Sequence, residues 1–183
     1  MSLTDEEHDR LLALYRGRVA GYADVDDNFR QWWRRWCRRL LTHGGNLVVP
    51  PMQPDADLEQ LLTGAEPQGP AFRLLQGADN GCHANAAVLW IDGTVAAIGT
   101  GYALSDDGLW RQHSWGIDAE GALVETTFER RQYLGLALSD IAALQFAAAN
   151  ASDHAKAVLT ARGPRAHELA AILHAARRAG AGT

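Results

Sequence analysis

Gln76-Gly77-Ala78-Asp79-Asn80-Gly81-Cys82-His83-Ala84-Asn85-Ala86-Ala87 runs from a polar, glycine-bearing loop straight into a segment fit for a helix, with Cys82 at the junction. A cysteine at a helix N-terminus faces unpaired backbone N–H groups and the positive end of the helix dipole, and both favour thiolate over thiol. From Thr94 the apolar period changes to two, so the helix expected over Cys82 to Trp90 or Ile91 is followed by strands. The stretches 95–104, 109–117 and 122–128 are divided by Ser105-Asp106-Asp107-Gly108 and Ala119-Glu120-Gly121, the pattern of an antiparallel meander. A helix preceding and packing on a small antiparallel sheet, with further helices at both ends, is an α+β fold.

The second expected strand carries His113 in Leu-Trp-Arg-Gln-His-Ser-Trp-Gly, and the third carries Glu125 in Ala-Leu-Val-Glu-Thr-Thr. Cysteine, histidine and carboxylate form a nucleophile, base and orienter set. A strand histidine can lean over a helix terminus, and a base must come within about 3 Å of the thiol it serves. Register decides the third member. If Ala119-Glu120-Gly121 is a three-residue loop, Asp118 pairs with Ala122 and His113 has Glu125 as a diagonal same-face neighbour, about 7 Å away between Cα atoms. A two-residue loop would flip that parity and offer Thr126, and Asp118 is the alternative orienter. Gln76, six residues before the cysteine, can fold back to help the Cys82 amide bind an oxyanion, with Asn80 as its substitute.

This order of Gln76, Cys82, His113 in His-Ser-Trp-Gly and Glu125 in Val-Glu-Thr-Thr resembles the papain-like cysteine hydrolase superfamily, in which an oxyanion glutamine stands at the same separation before the cysteine. The His-Ser-Trp-Gly and Glu-Thr-Thr pieces look like its compact transglutaminase-like and cell-wall-amidase-like branches. The resemblance covers Gln76 to Thr127. It implies a papain-like core in which the Cys82 helix packs on the meander, with Cys82 as nucleophile, His113 as base and Glu125 as orienter. Papain itself has an aromatic residue after its cysteine, where this chain has His83, and an asparagine where this chain has a carboxylate.

Outside that core, Thr4 with Glu7 reads as a capping box opening a helix that carries Leu11, Leu12, Leu14 and Tyr15 as far as Gly17. Asp26, Asp27 or Asn28 caps a second helix to about Thr42, with Phe29, Trp33, Trp36 and Leu40 at helical spacing and Gly44-Gly45 as its stop. Leu47 to Val49 reads as a short strand, Asp57 to Leu62 as a helical turn, and Gly64 to Pro70 as loop. Helices are expected over 139–149, 152–161 and 165–178. At 183 residues the chain suits a single domain over 1–183, with N-terminal helices in 4–43, a core in 72–135 and C-terminal helices in 138–179.

The formal charge of −5 gives no overall pull towards nucleic acid or anionic membranes. No apolar run approaches the roughly 20 residues that span a bilayer, and the acidic opening Met-Ser-Leu-Thr-Asp-Glu-Glu-His is unlike a signal peptide, so a cytoplasmic location with free Cys37 and Cys82 thiols is expected. Arg30, Arg34, Arg35, Arg38 and Arg39 share a helix with Trp32, Trp33 and Trp36 and could grip a nucleic-acid strand, but Arg34 and Arg38 fall one turn apart opposite the apolar face and read as a solvated helix surface. Adjacent Cys82 and His83 point apart, and no chelating pair accompanies them, so no metal or other cofactor is expected. His83 reads as shaping the site or binding a neighbouring backbone group. Trp110 and Trp115 flank His113 and read as lying on its face, as substrate-cleft walls or as core. The function these residues imply is acyl transfer from a peptide or other amide substrate, as an amidase or peptidase, a deamidase or a transglutaminase-type enzyme. The alternative is a non-catalytic binding protein that uses the tryptophans or the arginine helix.

Overall fold

The computed structural model of the chain describes residues 3–69 and 71–151. The helices expected over 152–161 and 165–178 lie outside the described residues. The elements are α1 (Asp5–Ala20), α2 (Asp27–Thr42), β1 (Leu47–Val48), α3 (Leu58–Gly64), β2 (Glu66–Gln68), β3 (Ala71–Leu74), α4 (Cys82–Ile91), β4 (Ala97–Leu104), β5 (Leu109–Ile117), β6 (Leu123–Glu125), β7 (Gln132–Leu138) and α5 (Asp140–Asn150). The fold is α+β. The strands form one seven-stranded sheet in the order β2-β7-β4-β5-β6-β3, with β1 paired to β5. The sheet is mixed, which corrects the expected small antiparallel one: β1 runs parallel to β5, and β3 runs parallel to β6. Among the described residues no helix is long and apolar enough to cross a membrane.

The described residues cluster into two compact units. One comprises 3–69, 101–113 and 130–136, and the other 71–100, 114–129 and 137–151.

In the first unit, Thr4 and Glu7 close the expected capping box of α1. The helix continues past Gly17 to Ala20. One interior glycine costs about 1 kcal/mol, and two anchors beyond it hold the last turn: Arg18 donates to the Pro50 carbonyl at 2.8 Å and Tyr22 Oη donates to that of Pro51 at 2.5 Å. Asp26 caps α2 through a 2.8 Å bond from the Phe29 N–H, and His43 ends the helix before Gly44 and Gly45, both at positive φ. The apolar row of α2 forms the core expected of it: Trp33, Trp36 and Leu40 pack with Leu58 and Leu61 of α3 and with Tyr102, Trp110 and Leu134 of the strands. Arg39 crosses from α2 to donate to the carbonyls of Leu61, Leu62 and Ala65, which ends α3 on a cation. β2 occupies 66–68, where loop was expected. Pro67 lacks an N–H, and an edge strand tolerates that.

In the second unit, β5 and β6 pair Gly116 with Val124 and Ile117 with Leu123, the register of the three-residue loop. Asp118 Oδ1 accepts from the Glu120 and Ala122 N–H groups, at 3.1 and 2.7 Å, and Gly121 takes φ +82°, a conformation costly for other residues. β3 follows β6 in parallel, and the ladder continues beyond it through Leu75 N–H to Glu125 O (2.9 Å) and Gly77 N–H to Thr126 O (2.8 Å). α4 packs on α5 through small residues, Ala86 and Ala87 against Ala143, Ala147 and Ala148, together with Ile91 and Ile98.

Candidate functional site

Cys82 is the first residue of the ten-residue helix α4 and is half-buried. The chain reaches it through a tight turn in which the Gly81 N–H donates to the Ala78 carbonyl at 3.2 Å, with Asn80 at φ +58°. Asparagine tolerates that left-handed conformation better than most residues. The turn is clamped from inside the helix. Asn85 Oδ1 accepts from the Ala78 N–H (3.1 Å) and Asn85 Nδ2 donates to the Ala78 carbonyl (2.9 Å), so one amide holds both backbone groups of one loop residue. Gly81 makes no side-chain cap, and the first helical bond runs from the Asn85 N–H to the Gly81 carbonyl at 2.8 Å. The N–H groups of the first turn therefore point outward beside Cys82, as they do at any helix start.

Gln76 and Asn80 are exposed. The backbone on either side of Gln76 is fixed by the two ladder bonds to Glu125 and Thr126, so its side chain leaves from an anchored strand extension five residues before the Gly81 turn ends.

His83 has its Nδ1 at 2.7 Å from Ser114 Oγ, which donates to Thr100 Oγ1 at 3.2 Å. Its ring also lies edge-on to Phe146 of α5, with centroids 6.0 Å apart. His83, read as shaping the site or binding a neighbouring backbone group, bonds to a buried strand hydroxyl. This ties the first turn of α4 to β5.

Glu125 is wholly buried at the end of β6. Its Oε1 accepts from the Thr126 N–H (2.7 Å), the Thr127 N–H (2.8 Å) and Thr127 Oγ1 (3.0 Å), so three donors converge on one carboxylate oxygen. Asp118, the alternative orienter, is the acceptor that holds the β5–β6 loop.

Gln76, Asn80, Cys82, His83, Trp115 and Glu125 belong to one unit, and Trp110 and His113 to the other. His113 is buried on β5, its ring tilted 38° to that of Tyr133 with centroids 6.2 Å apart. Trp110 and Trp115 are core side chains, each 0 % exposed, which corrects their reading as cleft walls. They stand five positions apart, so strand alternation puts them on opposite faces of β5, which corrects the reading that both lie on the face of His113. Trp110 joins the α2 cluster and donates from Nε1 to the Gly44 carbonyl at 2.8 Å. Trp115 lies on Gly99, where a Cβ would collide with the indole.

Sequence reasoning missed Asn85, Ser114 and Thr100. Asn85 is the single amide in the otherwise apolar stretch from Ala84 to Ile91, and Ser114 and Thr100 are hydroxyls inside strands; such isolated polar residues are the available signal. Among the described residues, no three His, Cys, Asp or Glu side chains gather where they could hold a metal ion. Cys37, on α2, is a different kind of thiol: burial pushes it up to about 12. Compared with described protein families, curated proteins and solved structures, the chain finds no match.

Proposed function

We propose that the chain is a cysteine-dependent acyl-transfer enzyme acting on a peptide or other amide. Cys82 is the nucleophile, His113 the base, Glu125 its orienter, and Gln76 with the Cys82 N–H the oxyanion binder. The thiolate attacks the acyl carbon, the C–N bond breaks, and the amine leaves with a proton from His113. Water deprotonated by His113 then hydrolyses the thioester, or an amine takes the acyl group. The observation that carries this reading is Cys82 as the first residue of α4, half-buried, on a loop braced by Asn85. A braced loop supports catalysis because a nucleophile must be held within a fraction of an ångström of its productive position. The papain-like order of residues adds the roles of His113, Glu125 and Gln76.

The test uses p-nitrophenyl acetate as the acyl donor. A burst of p-nitrophenol, with acetyl found on Cys82 by peptide mass mapping, is the expected result. Cys82→Ser abolishes the burst and His113→Ala slows it by about a hundredfold or more. Acetyl spread equally over both cysteines and lysines, with no burst, rejects the enzyme.

A further inference from the structure

A cavity of about 650 Å³ opens between α1, α2 and β1, within the size range of small-molecule sites. Its floor is apolar, built from Leu12 and Val19 of α1, Trp33 of α2, and Leu47 and Val48 of β1. Its rim is cationic. Arg30, Arg34 and Arg38 recur every four residues, so one row of α2 carries three guanidinium groups over successive turns, and Arg16 of α1 lines the same cavity. Among the described residues, no acidic side chain lines it. Arg30 pairs with Asp27 at 3.2 Å, but among the described residues Arg16, Arg34 and Arg38 form no ion pair. Like charges at that helical spacing repel, so the row is destabilising until an anion neutralises it. The row stands out because the whole chain carries −5.

The apolar side is equally incomplete. α1 buries no residue fully, and Leu12, Tyr15 and Val19 stay only half-buried beside the cavity. A ligand with an apolar body and one anionic head would cover the floor and neutralise the rim together. We infer that the cavity binds a monomeric long-chain carboxylate, with its chain along Leu12, Val19 and Trp33 and its head on Arg34 and Arg38. The guanidinium fork matches a carboxylate in two parallel hydrogen bonds. A nucleic-acid strand would use the charge and leave the floor uncovered, and a flat membrane surface would not fill a concavity. This site is independent of the Cys82 chemistry.

The experiment titrates the full chain with dansyl-labelled undecanoate, whose fluorescence rises in apolar surroundings, and competes it with palmitate below its aggregation concentration. Saturable one-to-one binding is expected, displaced by palmitate and not by methyl palmitate, and weaker at higher ionic strength. Arg34→Gln combined with Arg38→Gln, both exposed positions, lowers affinity by about tenfold or more. Val19→Trp fills the cavity and removes binding while the circular dichroism spectrum is kept; if that variant misfolds, the arginine variant decides alone. Unchanged affinity in the arginine variant, or equal displacement by the methyl ester, overturns the proposal. So does binding confined to anionic vesicles or single-stranded RNA.

Discussion

The two cysteines of this chain stand at different places in their helices, Cys37 within α2 and Cys82 at the start of α4. Cys37 is half-buried on α2 with its thiol pushed up to about 12 by desolvation, so at pH 8 it is about four pH units short of ionising. Cys82 begins a helix. Iodoacetamide at pH 8, read by peptide mass mapping, is expected to alkylate Cys82 at least about tenfold faster than Cys37 in the folded chain, with the rates converging in urea. Equal folded-state rates would remove the distinction on which a catalytic Cys82 rests. Glu125 makes a second residue-level claim. Glu125→Leu leaves three donors without their shared acceptor and should cost about 1–3 kcal/mol for each one that water cannot reach, whereas Glu125→Gln keeps an oxygen in place and should cost about 1–2 kcal/mol. Urea midpoints for the two variants check the order; if Leu is as stable as Gln, the carboxylate does not hold the 125–127 turn.

At the scale of elements, α4 starts where it does because the loop before it is fastened to the helix by one side chain. Asn85→Ala should speed amide hydrogen exchange at Ala78 and Gly81 and cost about 1–2 kcal/mol, with exchange at Ala87, packed on α5, unchanged. Asn85→Asp keeps the acceptor for the Ala78 N–H and loses the donor to its carbonyl, so Ala78 stays protected to an intermediate degree. If protection at Ala78 survives in the alanine variant, the clamp is not what orders the loop. This clamp marks where sequence reading stops. The start of α4, the capping box of α1 and the apolar row of α2 were legible because each is local: a cap, a period and a stop lie within a few residues. The β5–β6 register was legible only as a choice between two loop lengths, each fixing one parity, and the chain takes the three-residue one. β2 and β3 were not. Proline and glycine around 64–70 signal loop, and both strands lie at sheet edges where partners from distant segments, Tyr133 to Gly135 and Leu123 to Glu125, make them strands. The same limit applied to the site. Cys82 stood out by its own context, while the bond of His83 to Ser114 depends on a pairing across 31 residues that no local pattern encodes.

At the scale of the molecule, the unit that holds α2 carries five acids whose pKa burial raises. Burial raises Asp55 and Asp57, lifts Tyr22 and Cys37 to about 12 from their ordinary 10.0 and 9.0, and raises Tyr102 further. Tyr102 Oη donates to Asp55 Oδ2 at 2.9 Å, and the Asp57 N–H donates to Oδ1 at 3.1 Å. These bonds favour the charged form of Asp55 but leave its desolvation uncompensated. Every one of these groups is an acid whose folded value exceeds its unfolded one, so between the two values the folded chain binds more protons and stability falls as pH rises. The sign gives two limbs. From neutral pH downwards, Asp55 takes up a proton in the folded state before the unfolded chain does, and stability gains until pH nears the ordinary 3.8. Asp107, lowered chiefly by its hydrogen bonds from Arg111, opposes this on the same limb, but it is exposed enough for solvent to screen its effect. Above about pH 9 the unfolded chain sheds protons from Cys37 and then Tyr22 that the folded chain retains, and stability drops towards pH 12. Urea midpoints at about pH 5, 7 and 10 should therefore fall in that order. Asp55→Asn should flatten the step from pH 5 to 7 and leave the alkaline drop intact, and Cys37→Ala should shrink the alkaline drop and leave the acid step. A wild-type midpoint that holds constant from pH 8 to 11 would mean that these buried groups exchange protons with solvent as freely as the unfolded chain does, which their packing against α2 does not allow.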